Sequence, residues 1–161
     1  MPDELLAELE QFAEKLIDAE QSLFDVLRRK RAALTSADLD TMAALQAPET
    51  EAARRLQELV SWRAGILARA LQTGHRCESL TGLVQTLPVE KTGKLRALLK
   101  SAQRLARAVR EESWTQWVIT NRCCNFYGEV LELIAHGGRK SPTYDERSWS
   151  HHGGAVLDAN A

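Results

Sequence analysis

The sequence predicts an all-α fold: an elongated antiparallel bundle of three long helices, with a short connector helix and a flexible C-terminal tail. Three observations carry this. Leu contributes 23 and Ala 22 of the 161 residues, against four Ile and eight Val. Helices favour the unbranched pair, whereas strands draw on β-branched and aromatic side chains. The four prolines, Pro2, Pro48, Pro88 and Pro142, leave long stretches without a breaker. Within those stretches apolar residues return every three or four positions. A content of 44% hydrophobic and 27% charged residues suits a folded domain. A net charge of -1 gives no global attraction to nucleic acid or an anionic membrane.

The first helix is expected from Asp3 to about Leu34. Leu5, Leu9, Phe12, Leu16, Ala19, Leu23 and Val26 are spaced alternately four and three, a heptad rhythm. Leu6, Ala13, Ile17, Phe24 and Leu27 widen the stripe, so this helix faces more than one neighbour. Acids near its start and Arg28 to Arg31 near its end match the helix macrodipole. Thr35-Ser36-Ala37-Asp38 then reads as a turn with a capping signature.

The second helix carries Leu39, Met42, Leu45, Leu56, Leu59, Val60, Arg63, Ile66, Leu67 and Leu71 on or near one side. Pro48 is expected to divide it into a short helix over 37–46 and a longer one, or to kink it. Gly74 is placed to end it. Ser79 to Leu87 predicts the connector helix, with Leu80, Leu83, Val84 and Leu87 facing in. The last helix is expected from Gly93 to Ala135, stopped by Gly137-Gly138. Residues 1–138 thus form the helical bundle. Residues 139–161, polar and Gly-containing, form the flexible tail with Tyr144, Trp149, Val156 and Leu157 as isolated anchors.

Chemistry-bearing patterns are sparse, and no enzyme is expected. There is no GxGxxG, Walker loop, GxSxG or HExxH. Glu111-Glu112 reads as a solvated charge face. Cys77, Cys123 and Cys124 fit a reducing cytoplasm better than a disulfide framework, and their spacing does not suit zinc. No cofactor or metal is expected. The acidic N-terminus lacks the basic start and apolar run of a signal peptide, and no stretch is long and apolar enough for membrane insertion. Lys91, Lys94, Arg96, Lys100, Arg104, Arg107 and Arg110 are seven bases with no acid between them. Without interleaved aromatics they read as a solvated face, partly opposite the acidic first helix, rather than a nucleic-acid stripe.

From Trp114 the simple stripe of the last helix breaks. Trp117, Cys124, Tyr127, Leu131 and Ile134 continue one face, expected to pack on the other helices. Trp114, Val118, Phe126, Val130 and Leu133 make a second, adjacent face. That second face needs cover, from a partner, or from residues 79–87 and the tail. Asn121 and Asn125, four apart on this helix, are candidates to hydrogen-bond a partner's main chain. Partner-binding candidates are therefore Trp114, Val118, Asn121, Asn125, Phe126, Val130 and Leu133.

The ordered set of motifs resembles the FlgN family of flagellar type III export chaperones along essentially the whole chain. The first helix carries Glu20, Leu23, Leu27 and Lys30. The second carries Asp38-Leu39, Leu45 and a Glu49 to Arg63 stretch with Leu59, Trp62-Arg63 and Ile66-Leu67. The last holds Asn121-Arg122-Cys123-Cys124-Asn125, an N-x-x-x-N before an apolar run, and the tail holds Thr143-Tyr144-Asp145. The resemblance implies a cytoplasmic chaperone without nucleotide that binds the C-terminal segments of hook–filament junction proteins (FlgK- and FlgL-like). It would keep them unpolymerised and present them to the export gate, with Tyr144 at the gate contact. The competing reading is a coiled-coil adaptor that self-associates through the same apolar faces.

Overall fold

The computed structural model describes residues 2–135, except Arg76 and Glu78, and only the backbone of Pro2, Asp3 and Val89. The tail over 139–161, the Gly137-Gly138 stop and Tyr144 lie outside the described residues. Among the described residues there are four helices: α1 (Pro2–Ser36), α2 (Leu39–Gln72), α3 (Leu80–Thr86) and α4 (Gly93–Ala135), with a 3-10 turn at Val89–Lys91. Among the described residues there is no strand. The chain divides into two compact units, with the boundary inside α4 between Ile119 and Thr120.

In the first unit α1 and α2 run antiparallel through a tight turn. Ala37 takes the left-handed φ of 53°. Asp38 caps α2, its carboxylate accepting from the Thr41 amide at 3.0 Å and the Thr41 hydroxyl at 2.6 Å. Lys30 meets Glu49 at 2.6 Å just beyond that turn. At the far end Glu8 accepts from the Trp62 indole at 3.0 Å and from Arg69. The Trp62 hydrogen bond, followed by Arg69, holds the Glu8 carboxyl below the usual range.

The heptad on α1 is the floor of the core. Leu9, Phe12, Ala19 and Val26 are buried, and Ala13 and Leu27 of the widened stripe are buried with them. Phe12 meets Trp62 edge-on at 5.5 Å. On α2, Leu45, Ala52, Leu59, Ile66 and Ala70 face inward.

Pro48 neither divides α2 nor starts a new helix, contrary to the expected short helix over 37–46. It lies inside one continuous 34-residue helix. Pro48 is exposed, while Leu45 and Ala52 on either side of it are buried. Packing against α1 on both sides of the proline outweighs its missing amide donor.

Gly74, with φ 90°, ends α2. The His75 amide donates to Ala70 O at 3.0 Å and the Gly74 amide to Leu71 O at 3.1 Å. This double bond pattern is a Schellman ending, which needs the left-handed residue that glycine supplies. Ser79 then caps α3 through the Gly82 amide at 3.0 Å. Leu80, Leu83, Val84 and Leu87 are all buried against Leu9, Phe12, Ile66, Ala70 and Leu95. The connector thus closes the end of the core where α1 begins.

From there the part of α4 in the first unit runs parallel to α1 and antiparallel to α2. Lys94 Nζ reaches Glu10 and Glu14 of α1 at 3.0 and 2.9 Å. Further along, Glu112 pairs with Arg31 at 3.1 Å and Gln116 donates to Leu27 O at 2.5 Å. Carried on a turn, this register brings the end of α1 level with the region of Ile119, where the first compact unit ends.

Candidate functional site

Up to Val109 the inward stripe of α4 is apolar, with Leu95 and Ala102 buried. At the next step the same stripe becomes polar. Glu112 and Gln116 are buried. Gln116 Nε2 also lies 3.2 Å from Glu112 Oε1, so the side-chain amide bridges the carboxylate and the α1 backbone. Glu112 is therefore not part of a solvated charge face, although its neighbour Glu111 is exposed. Arg31 holds the Glu112 carboxylate, and Gln116 supplies a further donor, so burial is compatible with charge.

The apolar residues beside this polar layer point to solvent. Trp114 is 63% and Trp117 57% exposed, and their rings stack with centroids 5.0 Å apart and planes at 22°. Both tryptophans shelter mainly one another. Val118 is half-buried. The buried apolar residues of α3 are spent on the core around Leu9, Phe12 and Leu95.

In the second unit the helical residues Thr120–Ala135 contain no buried residue. Phe126 is 61% and Ile134 70% exposed, and Tyr127, Leu131 and Leu133 are exposed as well. Phe126 and Tyr127 contact each other edge-on, 5.8 Å between centroids. Asn121 and Asn125 are exposed and Val130 is half-buried. The expected division into one packed and one free face does not hold here. Tyr127, Leu131 and Ile134, assigned to the packed face, are as open as Phe126 and Leu133 on the other.

Of the seven partner-binding candidates, Trp114, Asn121, Asn125, Phe126 and Leu133 are exposed, while Val118 and Val130 are half-buried. Tyr144 lies outside the described residues. Two buried polar groups of α4, Glu112 and Gln116, were not foreseen. A third is Glu20 of α1, only 7% exposed, whose Oε2 has no hydrogen-bond partner. Burial pushes its carboxyl up to about 7. The signal for all three was their register. Glu20 fills an apolar slot in the series Ala13, Ile17, Phe24, Leu27, and Glu112 and Gln116 extend the series Ala102, Leu105, Val109.

Thiols and imidazole are scattered. The three cysteines are free, Cys123 and Cys124 exposed, and His75 Nδ1 lies 3.0 Å from the Thr86 hydroxyl. No described helix is long and apolar enough to cross a membrane.

The family model described as FlgN protein matches residues 1–148. The chain belongs to the FlgN family. FlgN proteins are flagellar export chaperones rather than enzymes, and an all-helical chain with an exposed apolar helix end is consistent with work done by binding. The match runs through all four helices and past the Asn121 to Asn125 segment. No curated protein and no solved structure matches this FlgN-family chain.

Proposed function

We propose that this FlgN-family chaperone acts in the cytoplasm, where it binds the amphipathic C-terminal segments of hook–filament junction proteins (FlgK- and FlgL-like) through the second half of α4. It keeps them from assembling and delivers them to the export gate. The observation that supports this reading most is the exposure of Trp114, Trp117, Phe126, Tyr127, Leu131, Leu133 and Ile134. A helix with this surface offers an amphipathic segment the apolar cover it lacks in isolation. Trp114, Val118, Phe126, Val130 and Leu133 supply the area, and Asn121 and Asn125 supply polar contacts along it. Burying five such side chains contributes on the order of 10 kcal/mol gross. Ordering a disordered cargo segment offsets several of these, leaving a reversible complex suited to release at the gate. Gate contact is assigned to Tyr144, an aromatic beside Pro142 in a polar segment of the sequence.

The deciding experiment is titration of a junction-protein C-terminal peptide into the wild-type chain and Val130→Asp. Weaker binding with unchanged helicity is expected. Unchanged binding, or unfolding of the variant, overturns the assignment. Tyr144→Ala is expected to leave cargo affinity and melting temperature in place and to reduce gate binding and secretion. Unchanged gate affinity would sink the role of Tyr144.

A further inference from the structure

A second apolar surface lies wholly in the first unit. It is a groove of about 420 Å³ between α2 and α4, with α1 as its floor and the start of α3 at one end. Phe12 and Leu16 line the floor, Leu56 and Val60 one wall, and Leu99 and Ala106 the other. Val60 is 58% exposed, so the wall of α2 opens to solvent. Glu20 lies among these side chains, and its buried Oε2 has no partner. A buried acceptor without a donor costs free energy, so a ligand that supplies the donor recovers it.

The rims differ in charge. On α4, Arg96, Lys100, Gln103, Arg107 and Arg110 are spaced four and three, forming a ridge beside Leu99, Ala102 and Ala106. Gln103 lines the groove itself, and Arg96 and Lys100 line the depression next to it. All four bases are exposed and have no ion-pair partner among the described residues. Lys94, by contrast, is paired to Glu10 and Glu14 of α1. On α2 the rim of Ala53, Gln57, Val60 and Ala64 is uncharged, and Arg63 beside it is a further exposed cation lining the groove. The basic stripe is thus one edge of an apolar trough, not an isolated solvated face.

We propose that this groove docks one amphipathic helix of a partner protein, apolar toward α1, acidic along its edges, with one hydrogen-bond donor set against Glu20. The occupant makes a fourth long helix beside α1, α2 and α4. Its acidic edge lies along Arg96, Lys100 and Arg107, which steer and orient it. Its donor sets the register, as a single polar group in a helical seam does. This surface is distinct from the exposed part of α4 and does not depend on the cargo assignment.

The test uses the full chain and a labelled synthetic helical peptide of about 18 residues, long enough for five turns. The probe has a leucine face, glutamate edges and one central asparagine on the leucine face. Two controls replace the glutamates by lysine, or the asparagine by leucine. The glutamate probe is expected to bind, and Lys100→Glu with Arg107→Glu to weaken it about tenfold while strengthening the lysine control. Val60→Asp, at an exposed position that leaves folding intact, is expected to abolish binding. Glu20→Leu is expected to erase the preference for asparagine over leucine. Four results overturn the proposal. They are binding unchanged by the charge reversal, binding lost through Leu133→Asp instead of Val60→Asp, no preference for asparagine in the wild-type chain, and a wild-type dimer that Val60→Asp makes monomeric. The last result would assign the groove to a second copy.

Discussion

Glu20 is a carboxyl in a slot that the heptad rhythm reserves for an apolar side chain, and its stability consequences follow from its burial. Its folded value of about 7 stands above the ordinary 4.5. A raised carboxyl binds its proton more tightly in the folded state, so folding is favoured by the protonated form. That stability is fully present below pH 4.5 and is lost as pH rises through 7. Glu20→Gln keeps the shape and removes the titration. Its expected effect is a flatter stability profile between pH 4.5 and 8, with a gain on the order of 3 kcal/mol at the upper end. Denaturant melts across that range check it, and parallel profiles for the two proteins would show that Glu20 is solvated. Glu112 is the opposite case, a buried carboxylate with its partners in place. Arg31→Ala leaves it with only the Gln116 amide, and a loss of about 1–3 kcal/mol is expected, since a stranded buried charge costs more than a surface pair contributes. Urea midpoints of wild type and variant measure it, and a change within experimental error would mean that water reaches the carboxylate.

At the scale of elements, α1 and α3 were the most legible. Every position of the α1 heptad from Leu5 to Val26 is buried or half-buried, and Leu80, Leu83, Val84 and Leu87 face inward as spaced. Both are short-range readings: period, cap and stop residues act within a few positions. The Gly74 ending was legible for the same reason. Pro48 was not, because its local cost is opposed by Leu45 and Ala52 packing on α1, a tertiary effect that no local window contains. Val60 and Leu71 were placed with the inward residues of α2 but are 58% and 61% exposed, because hydrophobicity marks a stripe without saying how wide the neighbour is. The candidate site was legible as an excess of apolar residues after Trp114. Which of its two faces would be packed was not, since that depends on where partner helices end. If α2 is continuous through a proline that only removes a hydrogen bond, Pro48→Ala should stabilise the protein, by about 1 kcal/mol or more. Thermal melting checks this, and a lower melting temperature would mean that the proline sets a bend the bundle needs.

For the molecule as a whole, burial is unevenly distributed, and this bears directly on function. The buried residues from Leu9 to Gln116 all belong to the first unit, whereas the described helix of the second, Thr120–Ala135, has none. A helix continued from a packed segment needs no new nucleus, so it can extend without tertiary contacts. The residues it adds are exposed or half-buried, so helix propensity carries much of their stability. Asn121, Asn125 and Gly128 lower that, Gly128 by about 1 kcal/mol relative to Ala. Local opening should therefore be inexpensive over Thr120–Ala135 and approach the global unfolding free energy around Leu9, Phe12 and Ile66. Amide hydrogen exchange is expected to be faster by several orders of magnitude in Thr120–Ala135 than in the buried stretches of α1 and α2. Saturating cargo peptide should slow exchange over Thr120–Ala135 and leave the α1 and α2 core unchanged, because cargo binding adds the packing that this segment lacks. Exchange already slow there in the free chain would mean that the apolar surface is covered before cargo arrives, and binding would then have to displace the cover. Such a chaperone would bind more weakly than its exposed area suggests and would respond to Val130→Asp with tighter, not weaker, cargo binding wherever the substitution loosened the cover more than the contact.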